Sequence, residues 1–199
     1  MHFEPLAALA ARYAVARQAA DESFAIGIGN EIISRLRQLD WLFGQVTSLE
    51  AGLIAEWETS HSPLQPRHNV VIVYLDENAA VQATGPFTSQ EQLRILAEAF
   101  YYTAHRLLSI LDECGAYLPG LKPVQAVSIR RIRNNLIEHA NRKGGRPSYT
   151  FSVSNASGIR LRSAARAGEP DVYMDEGLRG NALELAGQLQ SMLVAAVEG

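Results

Sequence analysis

The fold class of this chain is decided by residues 24–53, FAIGIGNEIISRLRQLDWLFGQVTSLEAGL. Large apolar residues recur there every three or four positions, which is the spacing of one face of an α-helix. They are Phe24, Ile28, Ile32, Leu36, Leu39, Phe43, Val46, Leu49 and Leu53. The spacing predicts one long helix over about 21–58, either continuous or kinked once, and therefore a mainly helical protein.

Four further helices are predicted from the same spacing and from residues that start and stop helices. They cover about 5–20, 89–114, 123–143 and 181–197. Thr88 and Glu91 form a capping box before the second of these helices. Pro123 suits the first turn of the third helix. Asn181 and Glu184 are typical of the start of the last one.

Short β-hairpins are predicted near 70–85 and 148–164. In each region a β-branched or alternating segment is followed by turn residues and then by a second segment of the same kind. The predicted fold class is therefore mainly α, a helical bundle of about five helices with small β-hairpin additions. We expect a single domain over 1–199.

Composition excludes several classes of protein. The chain has 199 residues, 47% of them hydrophobic, with 18 Lys and Arg against 21 Asp and Glu, which excludes a wholly disordered chain. The longest apolar runs fall far short of the roughly 20 residues that a membrane-spanning helix needs, so no membrane partner is expected. The single cysteine, Cys114, cannot form an internal disulfide, which favours a reducing, cytoplasmic location.

Charge is distributed unevenly along the chain. The net charge is −3, yet residues 119–168, called here the basic segment, hold ten Lys and Arg and one acidic residue, Glu138. The segment is therefore +9 and the rest of the chain −12. Such a cluster attracts polyanions even to a protein that is acidic overall. Arginine predominates in the segment and grips phosphate oxygens with two N–H groups at once, so RNA or another phosphate-bearing ligand is the expected partner.

The motif IRRIRNNLIEH, residues 129–139, lies in the predicted helix of the basic segment. The apolar stripe of this helix consists of Ile129, Ile132, Leu136 and Ala140. Arg133 and His139 lie on opposite edges of the stripe, about 120° apart around the axis and about 9 Å apart along it. Two copies packed about a twofold axis through the stripe would bring both pairs to one cleft, so a homodimer is expected.

The string RNNLIEH, residues 133–139, resembles the signature of HEPN-domain proteins, an arginine often followed by asparagine and then, a few positions later, by a histidine. Members of that superfamily are helical, commonly dimerise, and many are metal-independent ribonucleases. The resemblance implies that Arg133 stabilises the scissile phosphate and that His139 assists attack by the ribose 2′-hydroxyl. It also implies that Asn134 orients both groups and that no metal or cofactor is needed. Further RNA-binding residues are expected around the motif at Arg130, Arg131, Arg142, Lys143 and Arg146.

Other interpretations of the same residues remain open. His139 and Arg142 could simply complement the carbonyl groups at a helix C-terminus, an interaction worth about 0.3–1 kcal/mol. Alternatively, the basic segment belongs to a non-catalytic interaction or nucleotide-binding module. In a third interpretation the basic segment meets an acidic surface of a neighbouring subunit.

Three further features are more typical of packing than of chemistry. Tyr101 and His105 lie one helical turn apart and indicate a buried aromatic layer with a hydrogen-bonded histidine. Gly27 and Gly29 lack the preceding strand and third glycine of a dinucleotide-binding loop, so close helix packing is expected there. The histidines that flank the proline-rich loop at 62–69 have no third ligand at metal-binding spacing, so no metal is expected.

Overall fold

The computed structural model describes most of the chain. The described residues are 2–19, 23–60, 71–74, 89–114, 118, 120–133, 149–154, 158–163, 172–173 and 177–199. Their helices are α1 (Glu4–Ala19), α2 (Ser23–Ser60), α3 (Ser89–Cys114), α4 (Val127–Arg131) and α5 (Leu178–Glu198). Their strands are β1 (Val71–Tyr74), β2 (Tyr149–Ser154), β3 (Gly158–Ser163) and β4 (Val172–Tyr173). The predicted mainly helical fold is confirmed.

Helix α2 runs without interruption over 38 residues. Its predicted apolar stripe is buried at Ile32, Leu36, Leu39, Val46 and Leu53. Full burial of such a side chain stabilises the folded state by about 1.5–3 kcal/mol, so this stripe supplies much of the force that holds the helix in place. Helices α1 and α3 have nearly the predicted bounds, and Thr88 of the predicted capping box lies outside the described residues.

The described residues group into two compact units. The first contains Met1–Gly44, Phe100–Arg130 and Ala182–Gly199. The second contains Gln45–Ala99 and Arg131–Asn181. The single domain expected from the sequence stays a prediction.

An aromatic cluster lies in the core of the first unit. The rings of Phe3 and Phe43 lie 6.2 and 6.4 Å from the ring of Phe100, measured between centroids. Tyr101 meets Phe100 edge to face at 5.7 Å and is itself buried. Aromatic pairs at such separations contribute about 0.5–1.5 kcal/mol beyond their buried area. The predicted buried aromatic layer around Tyr101 is confirmed.

Helices α1 and α2 approach each other closely at Gly29. A Cβ atom at this position would lie 2.7 Å from the Cβ of Ala14, so the contact requires glycine. The predicted packing role is therefore confirmed for Gly29. It is wrong for Gly27, which is exposed and where a Cβ would meet nothing within 4 Å. Residues that are two positions apart, such as Gly27 and Gly29, lie about 200° apart around a helix. Only one of them can therefore face a given neighbouring helix.

The N-terminus of α1 is capped by a side chain of α2. The Oδ1 atom of Asp40 accepts hydrogen bonds from the backbone N–H groups of Phe3, at 3.1 Å, and Glu4, at 3.3 Å. These donors belong to the helix start, where no backbone carbonyl is available to them. The cap therefore comes from a residue distant in sequence.

Replacing Asp40 with alanine is expected to lower the free energy of unfolding by about 1 kcal/mol, because two helix-start N–H groups lose their acceptor. Urea unfolding followed by far-UV circular dichroism measures the loss. Ser34→Ala, an exposed change on the same helix, is the control and should leave the midpoint almost unchanged. Equal midpoints for both variants would contradict the capping role.

The predicted start of the helix in the basic segment is wrong. Helix α4 begins at Val127 and not at Pro123, and residues 121–126 form no regular element. Leu121, Val124 and Ala126 are buried along this irregular connection. Burial of these side chains therefore outweighs the weak local preference of proline for a helical first turn.

The last helix also begins earlier than predicted. Helix α5 starts at Leu178, directly after Gly177, whose φ is +97°. Asn181 is buried, and its N–H donates to the carbonyl oxygen of Gly177 at 3.0 Å, which is a bond of the first helical turn. The glycine, whose backbone adopts positive φ readily, marks the helix start in place of an asparagine cap.

The second unit holds an antiparallel sheet whose described strands run in the order β1, β2, β3, β4. Strands β2 and β3 pair along the region predicted as a hairpin, with Val153 opposite Ile159 and both side chains buried. Strand β1 pairs with the other edge of β2. The return strand predicted at 80–85 lies outside the described residues, and β4 was not predicted.

Candidate functional site

Arg133 is the one predicted catalytic residue within the described part of the chain. It follows Ile129 and Ile132, which are buried and so confirm this part of the predicted apolar stripe. Arg133 is half-buried, and its Nε atom is buried. A guanidinium held in this way has lost rotamer freedom before a ligand arrives, which lowers the entropy cost of gripping a phosphate.

Arg130 is held by a carboxylate that the sequence did not identify. Its Nη1 atom lies 2.8 Å from Oδ2 of Asp112 at the end of α3, and its Nη2 donates to the carbonyl oxygen of Val124 at 3.3 Å. These contacts fasten the start of α4 within the first unit. A phosphate that binds Arg130 has to compete with Asp112 for the guanidinium. The neighbouring Arg131 is exposed.

The remaining predicted site residues lie outside the described residues. They are Asn134, His139, Arg142, Lys143 and Arg146. The approach of Arg133 to His139 and the cleft between two copies therefore stay predictions.

Strand β3 carries another arginine of the basic segment. Arg160 stands opposite Ser152 in the register of β2 and β3. It is half-buried, and its Nε atom is buried. The strand thus presents a partly immobilised guanidinium next to Ile159, whose side chain is in the core.

A fully buried carboxylate lies beside the start of β3. Glu50 of α2 is completely inaccessible to solvent. Its Oε1 accepts a hydrogen bond from the backbone N–H of Ile159 at 2.5 Å. Its Oε2 accepts bonds from Arg179 of α5, at 3.0 Å from Nε and 2.8 Å from Nη2. All three residues belong to the second unit, so one carboxylate joins α2, β3 and the start of α5.

Burial raises the pKa of Glu50, because desolvation disfavours its charged form. The hydrogen bond from Ile159 and the charge of Arg179 act in the opposite direction. The Arg179 side chain is 34% exposed, so water still solvates part of the cation while the anion has none. Glu50 therefore depends on its two protein partners to remain charged at a site that water does not reach.

Gly158 allows this close approach. Its φ is +66°, and a Cβ on it would lie 2.6 Å from Oε1 and 2.8 Å from Oε2 of Glu50. Such a Cβ would also lie 2.9 Å from Nε of Arg179. Only glycine combines this backbone conformation with this separation at low cost.

The position of Glu50 in the sequence already indicates that this carboxylate needs partners. Glu50 follows Val46 by four residues and precedes Leu53 by three, so it lies on the apolar face of α2. A carboxylate on a core-facing stripe requires partners. Their identities, Ile159 and Arg179, lie more than a hundred residues further along the chain and could not be inferred from spacing.

Other polar and concave features of the described residues suggest no chemistry. His105 is half-buried, and its Nδ1 lies 3.4 Å from Oγ of Ser109 one turn away. A shallow depression on the first unit is lined by Ala11, Arg12, Val15, Ala16 and Val197. It contains a single ionisable side chain and lacks an acid–base pair.

The described residues contain no group of three or more histidine, cysteine, aspartate or glutamate side chains that could hold a metal ion. None of the described helices combines the length and the apolar character needed to cross a membrane. Comparisons with protein-family models, with curated proteins and with solved structures return no match.

Proposed function

We propose that this chain is a HEPN-like RNA-binding protein that acts in the cytoplasm as a metal-independent endoribonuclease. The observation that carries the proposal is the motif of Arg133, Asn134 and His139 within a segment of charge +9. Two features support it further: the fold is mainly helical, and Arg133 is half-buried next to the buried Ile132.

The proposed reaction needs no external nucleophile. His139 accepts the proton of a ribose 2′-hydroxyl, and the 2′-oxygen attacks the adjacent phosphorus. Arg133 stabilises the added negative charge on the phosphate, while Asn134 orients the two groups. The 5′-oxygen of the next nucleotide leaves with a proton from an imidazolium, which gives a 2′,3′-cyclic phosphate and a 5′-hydroxyl. The 2′-hydroxyl is an internal nucleophile, so its proximity replaces activation by a metal.

Two copies of the chain are proposed to form the site. On one regular helix Arg133 and His139 would lie on opposite edges of the apolar stripe, too far apart to act on one phosphate. Ile129 and Ile132 of the stripe are already buried within one chain, so the proposed dimer contact lies beside the stripe and brings Arg133 of one protomer near His139 of its partner. The flanking cations Arg130, Arg131, Arg142, Lys143 and Arg146 then hold the RNA backbone on either side.

Substituting Arg133 or His139 with alanine is expected to lower the cleavage rate by about 10²-fold or more, since each change removes charge stabilisation or proton transfer. The assay follows a labelled single-stranded RNA on a denaturing gel with EDTA present. Arg37→Ala, an exposed arginine of α2 outside the basic segment, is the matched control. Circular dichroism checks that each variant is folded.

The outcomes separate the proposal from its alternatives. Cleavage by the wild type that both alanine variants retain would refute the catalytic roles. Binding without any cleavage, weakening steeply with salt, would instead indicate the non-catalytic module. Absence of RNA binding together with dissociation of the oligomer at high salt would indicate a scaffold held by its own opposite charges.

A further inference from the structure

We infer that Glu50 is a positioning residue for RNA binding, and that its buried carboxylate fixes the start of β3 so that Arg160 becomes a phosphate ligand. The inference rests on the proposed function, because it adds a ligand and its support to the same basic segment. Glu50 itself is fully buried and lies outside that segment, so it acts through Arg160 and does not touch RNA.

The direction of the Ile159 N–H group decides at which edge of β3 the carboxylate lies. It donates to Oε1 of Glu50 at 2.5 Å, and it therefore points away from β2, the strand on the other side of β3. This places the carboxylate at the outer edge of β3. In an antiparallel strand the direction of each N–H and of each side chain follows the same alternation, so fixing Ile159 also fixes the side chain of Arg160.

Among the described residues, β4 pairs with only part of β3. This strand pairs with β3 only at Arg162 and Ser163 among the described residues. Within the described part of the chain, the N–H of Ile159 thus receives its outer-edge acceptor from Glu50. An edge N–H without an acceptor would cost free energy in the core, so the carboxylate takes the place of a strand carbonyl at this point.

Arg160 directly follows Ile159 on β3. Its Nε atom is buried, while the residue as a whole is half-buried. A guanidinium that is oriented in this way binds phosphate through its terminal amino groups with little further loss of freedom. Arg160 also pairs with Ser152 of β2, so release of the start of β3 from Glu50 would loosen the orientation of Arg160 and weaken its contribution to phosphate binding.

Simple electrostatics predicts the opposite effect. Removal of a carboxylate makes the protein more positive and should strengthen its attraction for RNA. Loss of a positioning contact should weaken binding instead. The sign of the change in affinity therefore distinguishes the two roles of Glu50.

The test compares Glu50→Ala, Arg160→Ala and the double variant. Affinity for a fluorescently labelled 2′-O-methyl oligouridine, which cannot be cleaved at its 2′ position, is measured by anisotropy over a series of salt concentrations. We expect each single variant to bind about tenfold more weakly. The slope of log affinity against log salt concentration should fall by the equivalent of about one phosphate contact. The double variant should bind no more weakly than Arg160→Ala alone, because both changes remove the same contact.

The matched control is Glu56→Ala, which removes an exposed carboxylate from the same helix and the same unit. It should bind oligouridine as tightly as the wild type or slightly more tightly. A Glu50→Ala variant that behaves like this control would overturn the inference. So would unchanged binding by Arg160→Ala, and in both cases the proposed function stands if the wild type binds RNA. No binding by the wild type would overturn both.

A conservative variant keeps the test decisive if Glu50→Ala does not fold. Glu50→Gln retains an oxygen that can accept the Ile159 N–H but presents an amide group to Arg179. We expect it to bind oligouridine about threefold more weakly than the wild type, between the wild type and Arg160→Ala. Affinity and salt dependence equal to those of the wild type would overturn the positioning role.

Discussion

Replacing Arg179 with methionine is expected to lower the free energy of unfolding by about 3 kcal/mol at neutral pH. The change removes the cation whose Nε and Nη2 donate to Oε2 of Glu50, at 3.0 and 2.8 Å, and leaves that carboxylate fully buried. An isolated buried charge costs more than a buried pair. This loss is at the lower end of the range for removing one member of a buried ion pair, because the Arg179 side chain is 34% exposed and its own charge is partly solvated.

The loss should depend on pH in a defined direction. Burial already raises the pKa of Glu50 above its ordinary value of 4.5, and loss of Arg179 removes one of the effects that lower it. The folded state then binds the proton more tightly than the unfolded state does. Stability from this group is therefore fully present below pH 4.5 and is lost as the pH rises through the folded pKa. The defect of Arg179→Met should be small in acid and large at neutral pH.

Urea unfolding of the wild type, Arg179→Met and the double variant Glu50→Gln with Arg179→Met measures this effect at several pH values. The double variant has no carboxylate at position 50, so its difference from the wild type should lack the steep pH dependence of the single variant. It should also be more stable than Arg179→Met at neutral pH, because replacing both members of a buried pair costs less than removing one. A defect of Arg179→Met that is equal at all pH values would rule out the buried-charge explanation.

Spacing of apolar residues together with start and stop residues predicted the long helices α1, α2 and α3 to within a few residues. The stripe on α2 is buried at Leu36, Leu39 and Val46, and α3 has the predicted bounds, because burial of one face determines where a long helix forms. Helix starts were less predictable. The irregular stretch that includes Pro123 is held by burial of Leu121 and its neighbours, which outweighs the weak preference of proline for a first helical turn.

The contacts between distant residues could not be predicted from local pattern. Asp40 caps a helix that begins 36 residues earlier, and Glu50 binds a backbone N–H 109 residues later. A sequence indicates that a carboxylate on an apolar face needs a partner, but many arginines and backbone groups could serve. The ion pair of Arg130 with Asp112 is equally unpredictable from spacing, because it depends on how the end of α3 lies against the start of α4.

Replacing Gly158 with alanine is expected to lower the free energy of unfolding by about 3 kcal/mol, for two separate reasons. A residue with a Cβ at a φ of +66° costs about 1–2 kcal/mol relative to glycine. The new Cβ would also lie 2.6 Å from Oε1 and 2.8 Å from Oε2 of Glu50, so a buried carboxylate would have to move. Movement of Glu50 breaks its bond with Ile159, and the displaced charge has no water to solvate it.

Gly187→Ala on the exposed surface of α5 is the matched control for this substitution. A Cβ there meets nothing within 4 Å, and the position is within a helix. Alanine should therefore raise the free energy of unfolding by about 0.5–1 kcal/mol, because it restricts the unfolded chain and favours the helix. Substitution by alanine is thus expected to lower the free energy of unfolding at Gly158 and to raise it at Gly187. Thermal unfolding of both variants measures this difference directly. Equal shifts in Tm for the two would mean that neither positive φ nor contact with Glu50 constrains Gly158. In that case the carboxylate would not hold the start of β3 in the way that the positioning of Arg160 requires.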